Sequence, residues 1–179
     1  GSTAGQIARL KGCRVIGITS SDEKCATVVD RFGFDACLNY KSGTLRDELA
    51  ALAPDGVDLF FDNVGGDVLN AGLGSLRRGG RVVISGAVSQ YNNMQFMRGP
   101  AGYLSLIVNR ARMEGFVVID FQDQFAEARA EIARWIQAGL VNPETHVVRR
   151  PVTSFVDMLS GLFAGQNTGK MVLEIENYN

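Results

Sequence analysis

Long apolar runs alternate with amphipathic stretches along this chain, and that alternation constrains the fold more than any other feature. "VDLFFDNV" and "RVVISGAV" are apolar through most of their length. A strand with one face in water alternates apolar and polar side chains. A strand covered on both faces need not, and such strands belong to parallel sheets. The pattern predicts strands at Arg14–Thr19, Ala36–Tyr40, Val57–Asn63, Arg81–Gly86, Glu114–Asp120 and Met171–Glu176. Between them it predicts helices at Thr3–Leu10, Asp22–Phe32, Leu45–Leu52, Val68–Leu76, Tyr103–Ala111 and Phe125–Ala138. Ser21 or Asp22 offers the second helix an N-cap. The glycines of "RFGFD" and "RRGGR" stand where helix C-caps usually need them.

Repeated helix–strand order implies a doubly wound α/β domain. A Rossmann unit opens with a strand and a glycine-rich turn, whereas this sequence opens on "GSTAGQIARLKG", a helix already under way. The expectation is an α/β fold: a Rossmann-type doubly wound parallel sheet lacking the first strand and Gly-rich turn, part of a longer chain. That strand is the central one, so its place is either open or filled by something else. A chain of 179 residues, 46% of them hydrophobic, suffices for a real core. Its net charge of −1 gives no reason to expect nucleic acid or a membrane surface as partner. No apolar run approaches the roughly 20 residues of a spanning helix, and no signal peptide is visible. Cys13, Cys25 and Cys37, odd in number and widely spaced, imply a reduced, cytoplasmic protein in which they are small core residues. One histidine, His146, and no CxxC argue against metal.

The stretches that end the strands carry the chemistry. "RVIGITSSDEK" places Thr19, Ser20 and Ser21 where many dinucleotide folds have a carboxylate, with Lys24 shortly after. A carboxylate accepts from an unphosphorylated ribose and repels a 2′-phosphate; hydroxyls and an ammonium attract one. The stretch therefore fits NADP(H) better than NAD(H), although by itself it is more commonly a helix cap with a solvated lysine. In "LNYK", Tyr40 ends the next strand, beside the adenosine phosphate or in a purely structural place. "DNVGGD" sets Asn63 before two glycines, either to meet a ribose or to make a tight turn. "SGAVSQYN" carries Ser85, Gly86, Ala87, Val88, Ser89, Gln90 and Tyr91 on the same sheet edge. "EGFVVID" presents Phe116, Val117 and Val118, or is simply an edge strand. "AGQNTGK" holds Asn167 in a glycine-flanked loop. Arg9 and Lys11 read as ordinary surface charges. No hydrolase elbow, Walker loop or zinc signature is present.

Together, "GQIARLKGCRVIGITSSDEK", "NYK", "FDNVGG", "SGAVSQYN", "MEGFVV" and "NTGKMVLEI" resemble the zinc-independent medium-chain dehydrogenase/reductases. The likeness is to the branch of leukotriene B4 dehydrogenase, prostaglandin reductase and alkenal double-bond reductase, in order and over essentially the whole chain. The resemblance implies NADP(H) as cofactor, with Lys24 on the 2′-phosphate and Tyr40 beside it. It implies further cofactor contacts from Asn63, from Ser85 through Tyr91, from the Phe116–Val118 backbone and from Asn167. Tyr91, the one catalytic residue it implies, orients the nicotinamide ribose hydroxyl, a fixed donor for charge building on a carbonyl oxygen. The implied reaction is hydride transfer to the β-carbon of an α,β-unsaturated aldehyde or ketone.

The implied organisation is a cofactor-binding domain over 1–165 and a tail over 166–179 that returns to a catalytic domain. It includes a homodimer joined through the edge strand near Glu114–Asp120. The family's pyrophosphate turn is missing from the front of the chain, and a cofactor half alone is expected to be inactive. Two other functions stay open on the residues: a quinone oxidoreductase of the same superfamily, and a non-catalytic NADP-binding module. A methyltransferase on a similar sheet is disfavoured by "ITSS", which lacks the acidic residue usual after the second strand.

Overall fold

Local chemistry sets the first helix boundaries. The computed structural model describes residues 1–96 and 98–175. In it Ser21 caps helix α2 (Asp22–Phe32), its hydroxyl accepting from the Lys24 amide at 3.3 Å, and Gly33 closes the helix at φ 68°. Helices α1 (Ser2–Leu10), α3 (Leu45–Leu52), α4 (Gly66–Gly74), α5 (Leu104–Asn109) and α6 (Phe125–Gln137) fall on the other predicted stretches. Strands β1 (Ile16–Thr19), β2 (Ala36–Asn39), β3 (Val57–Asp62), β4 (Leu76–Ile84), β5 (Arg112–Gly115) and β7 (Lys170–Ile175) do likewise. The pattern missed β6 (Thr145–Arg150) and α7 (Phe155–Phe163). Glu176, the expected end of the last strand, lies outside the described residues, as do the last four positions of the predicted tail.

Three expectations need correction. "RRGGR" does not cap a helix: α4 stops at Gly74, and Leu76 already pairs with Val57. The stretch bulges out of register, so that Leu59 meets Arg81, with Gly79 at φ 77°. Leu76, 5% exposed, is drawn into the core, and burying it outweighs one more helical turn. The strand predicted over Glu114–Asp120 ends at Gly115 and gives way to a 3₁₀ segment, Val118–Gln124. There the β-branched run obeys its turn rather than its propensity, the Asp120 amide bonding the Val117 carbonyl at 3.0 Å. Finally, β3 is covered on one face only. Phe60 and Asp62 are buried, while Leu59 and Phe61 are 55% and 42% exposed.

All pairings are parallel, in the orders β1-β2, β3-β4-β5 and β6-β7. The first two groups follow the doubly wound order on either side of a gap, since β1 and β3 do not pair. The gap is a cavity of about 930 Å³ between β1 and β3, floored by α1. The core lies to one side of it, where Leu38, Leu45, Leu49, Phe60, Leu69, Leu73 and Val82 pack β2, β3 and β4 against α3 and α4.

Side-chain ties bind the later residues back to the front. Gln6, 4% exposed on α1, exchanges two hydrogen bonds with the Asn142 backbone at 3.1 and 2.6 Å. Arg31 pairs with Glu144 at 2.7 Å. Arg9 pairs with Asp35 at 2.8 Å, and Lys11 lies over the Trp135 ring, so both are the surface charges expected. His146 sits half-buried on β6, its Nδ1 buried and without a hydrogen-bond partner among the described residues. Among the described residues no group of His, Cys, Asp and Glu could hold a metal ion. No helix among them is long and apolar enough to cross a membrane. Cys13 is exposed and the other two cysteines are half-buried, and all three are free. Burial, and after it the neighbouring Cys25 as acceptor for the Cys37 S–H, push the Cys37 thiol well up, so this thiol stays protonated.

Candidate cofactor-binding site

Parallel strands present their carboxyl ends on one side of the sheet, and the corners there hold the predicted residues. Thr19 stands level with Asn39, so β1 and β2 leave the sheet side by side, one into Ser20–Ser21 and the other into Tyr40–Lys41. Asn39 fastens the two corners. Its Nδ2 donates to Asp22 at 2.9 Å and its Oδ1 accepts from the Lys41 amide at 3.0 Å. Ser21 is occupied as the helix cap, and the Glu23 carboxyl is held below its ordinary range mainly by its own backbone amide and then by the Ser21 hydroxyl. Of the two serines, only Ser20 has a hydroxyl without a hydrogen-bond partner among the described residues.

Lys24 is half-buried, and its ammonium donates to the Gly165 carbonyl. Burial, and after it the charge of Lys41, hold this ammonium below the usual lysine range. A Cβ at Gly165 would lie 3.7 Å from Ser20 Oγ and 3.8 Å from Lys24 Nζ, so the loop before β7 reaches this corner. Asn167, in that loop, donates to the Gly169 carbonyl at 2.6 Å. Lys24, Asn63, Asn167 and the start of α1 all line the cavity between β1 and β3.

The corner after β3 is organised by a residue the sequence reading passed over. Asp62 is 1% exposed, and its carboxylate accepts from the Val64 amide at 3.0 Å and the Gly65 amide at 3.1 Å. That turn aims Asn63 outward and opens α4 through Gly65, at φ 75°. Its sequence signal was available: an aspartate three residues ahead of a glycine pair is the pattern of an Asx turn. The loop from Ser85 to Tyr91 is laced onto the same corner. Ser85 N bonds the Asp62 carbonyl at 2.7 Å, Val88 N that of Asn63 at 3.1 Å, and Ser89 N that of Val64 at 3.0 Å.

Within this loop the Tyr91 hydroxyl accepts from the Ala87 amide at 3.2 Å. A Cβ on Gly86 would stand 2.5 Å from Asn63 Oδ1 and 3.0 Å from that hydroxyl, so only glycine lets Asn63 and Tyr91 converge. Phe116 N bonds the Ile84 carbonyl at 3.3 Å, which brings the Phe116–Val118 segment beside Ser85. The Phe116 ring lies between Phe61 and Phe121, whereas Val117 and Val118 face solvent, 58% and 59% exposed. Tyr40, at the end of β2, is 36% exposed.

These corners and strand order define a dinucleotide-binding domain of the Rossmann type. The family model described as zinc-binding dehydrogenase matches residues 1–134. The chain is 39% identical over 180 residues to prostaglandin reductase 1 of Mus musculus, covering 97% of this chain and 53% of that protein. It is 38% identical to the 2-alkenal reductase (NADP(+)-dependent) of Nicotiana tabacum, covering 98% of this chain and 51% of that one. The crystal structure of CurA from Vibrio vulnificus in complex with NADPH superposes with a TM-score of 0.90 at 36% identity, covering 99% of this chain and 54% of that chain. The chain belongs to the medium-chain dehydrogenase/reductase family, in its zinc-independent branch. It spans about half the length of the relatives it matches.

Proposed function

We propose that this chain is the cofactor-binding part of an NADPH-dependent reductase of the C=C bond of α,β-unsaturated aldehydes and ketones. One observation carries the reading: a half-buried lysine, Lys24, stands at the carboxyl end of β1 beside the Ser20 hydroxyl, with no carboxylate in ion-pair contact among the described residues. That donor set fits a phosphorylated ribose. The names of the similar reductases support the same cofactor and reaction. Lys24 binds the 2′-phosphate with Tyr40 beside it. Asn63, Asn167, the Ser85–Tyr91 loop and the Phe116–Val118 backbone hold the remainder of the cofactor. When bound, NADPH supplies the hydride. Tyr91 holds the nicotinamide ribose hydroxyl in place as a donor for the oxygen on which charge builds.

In this reading residues 1–165 form the cofactor domain, and 166–179 lead back to a catalytic domain that supplies the substrate contacts. Two copies join at the open edge of β5, in a cytoplasmic protein. Val117, Val118 and Ile119 are each more than half exposed beside that edge, which supports the pairing. Sedimentation of the full-length protein is expected to give a dimer, and a monomer at micromolar concentration removes this part of the proposal.

The full-length protein is expected to oxidise NADPH in the presence of simple enals and enones. Turnover confined to quinones would transfer it to the quinone oxidoreductases, and binding without turnover would make it a non-catalytic module. Tyr91→Phe is expected to lower kcat about tenfold, because the ribose hydroxyl that donates to the developing charge loses its anchor without being removed, with a smaller change in NADPH affinity. An unchanged kcat excludes Tyr91 from the reaction.

A further inference from the structure

We infer that Lys41 is a second specificity residue for the 2′-phosphate, forming with Lys24 and Ser20 a two-ammonium clamp whose spacing is set by Asn39. The inference rests on the NADPH reading above and extends it to a residue that reading does not use. Its geometric basis is the register of β1 and β2. Because Thr19 is level with Asn39, Ser21 and Lys41 leave the sheet at the same height on neighbouring strands. Lys24 lies one helical turn further along α2. Asn39 then locks the two exits together, one end of its amide on Asp22 and the other on the Lys41 amide. Gly43, at φ 85°, turns the chain away immediately afterwards, so that Lys41 stands at the tip of a short 3₁₀ turn (Tyr40–Ser42).

The charge balance of the corner points to a dianion. Two carboxylates stand nearby: Asp22 holds Asn39, and the exposed Glu23 makes no ion pair among the described residues. Among the described residues neither Lys24 nor Lys41 makes an ion pair, although six other cation–carboxylate pairs form elsewhere. Lys41 is close enough to Lys24 for its charge to disfavour protonation there. Two ammonium groups left mutually repelling, next to an uncommitted hydroxyl, are relieved by a ligand bearing close to two negative charges on one tetrahedral group. A phosphate monoester has that charge and shape; an unphosphorylated ribose does not. Lys24 is half-buried and positioned by Gly165, whereas Lys41 is exposed and reaches from the open side. The two therefore approach one phosphate from different directions.

The test is calorimetric titration of the full-length protein with adenosine 2′,5′-bisphosphate and with adenosine 5′-monophosphate. Lys41→Ala is expected to weaken the bisphosphate about fivefold and the monophosphate less than twofold, the scale of one partly solvated charge contact. Lys41→Arg is expected to stay within about twofold of the parent for both, because the charge is kept. The loss should shrink in 1 M salt, where the screening length falls to about 3 Å. An equal loss for both nucleotides, or none for either, overturns the role of Lys41. Lys24→Ala run in parallel separates the two layers of the argument. Discrimination lost in Lys24→Ala but kept in Lys41→Ala overturns the clamp alone. Discrimination kept in both variants overturns the 2′-phosphate reading itself, and the clamp with it.

Discussion

Lys24→Ala in the full-length protein will weaken NADPH binding about thirtyfold while changing NADH binding no more than about twofold. The magnitude follows from removing a hydrogen-bonded ammonium from a dianion, an interaction worth roughly 1.5–3 kcal/mol net. The asymmetry follows from its location, since an unphosphorylated cofactor has nothing for this ammonium to hold. Replacement by methionine is a useful companion. It keeps much of the stem that packs half-buried beside the loop before β7 while removing the charge and the bond to the Gly165 carbonyl. Both variants should lose the same preference.

Acidity gives an independent reading of the same group. Because burial and then Lys41 lower the pKa of Lys24, its ammonium deprotonates at lower pH than an ordinary lysine. NADPH affinity should therefore start to fall on the alkaline side before a solvent-exposed lysine titrates, and NADH affinity should not follow it. Equal losses of both cofactors in Lys24→Ala, measured by fluorescence titration, would refute the assignment.

Asp62→Ala is expected to cost about 3 kcal/mol of stability. The carboxylate is buried and satisfies the Val64 and Gly65 amides, and each buried donor left unpaired costs about 1–3 kcal/mol. For a domain of this size that corresponds to a fall in Tm of roughly 6–12 °C, readable by calorimetry. Asp62→Asn keeps the shape and one acceptor, so it should lose less than half as much. The cofactor consequence is separate. Asn63 is aimed by the turn that Asp62 closes, so folded Asp62→Asn should bind NADPH more weakly than the parent. A Tm within about 2 °C of the parent in the alanine variant means that the turn is held by the Ser85–Ser89 backbone bonds instead.

Much of this was legible in the chain itself. Continuous apolar runs announced strands in a parallel sheet, and the caps of α2 were readable at Ser21 and Gly33, because such signals act within a few residues. "TSSDEK" likewise declared a cationic, hydroxyl-bearing corner, since capping and charge are local properties. The failures came where a distant contact overruled a local preference. "RRGGR" has the look of a helix end, yet Leu76 is taken into the core by Val57 and the glycines become a bulge. "GFVVID" has strand propensity, yet only four residues, Arg112–Gly115, find a partner on β4.

The order of elements from α1 to α6, and the residue types at the strand ends among them, were determined by the sequence alone, because hydrophobic period, capping and charge are written residue by residue; β6 and α7 were not. Tertiary structure alone decided which ends meet: that β1 and β2 leave the sheet level with each other, which puts the corners of Lys24 and Lys41 side by side, and that Gly165 reaches back to hold Lys24. Those juxtapositions depend on strand register and on contacts between residues as far apart as 24 and 165, and no local pattern encodes them.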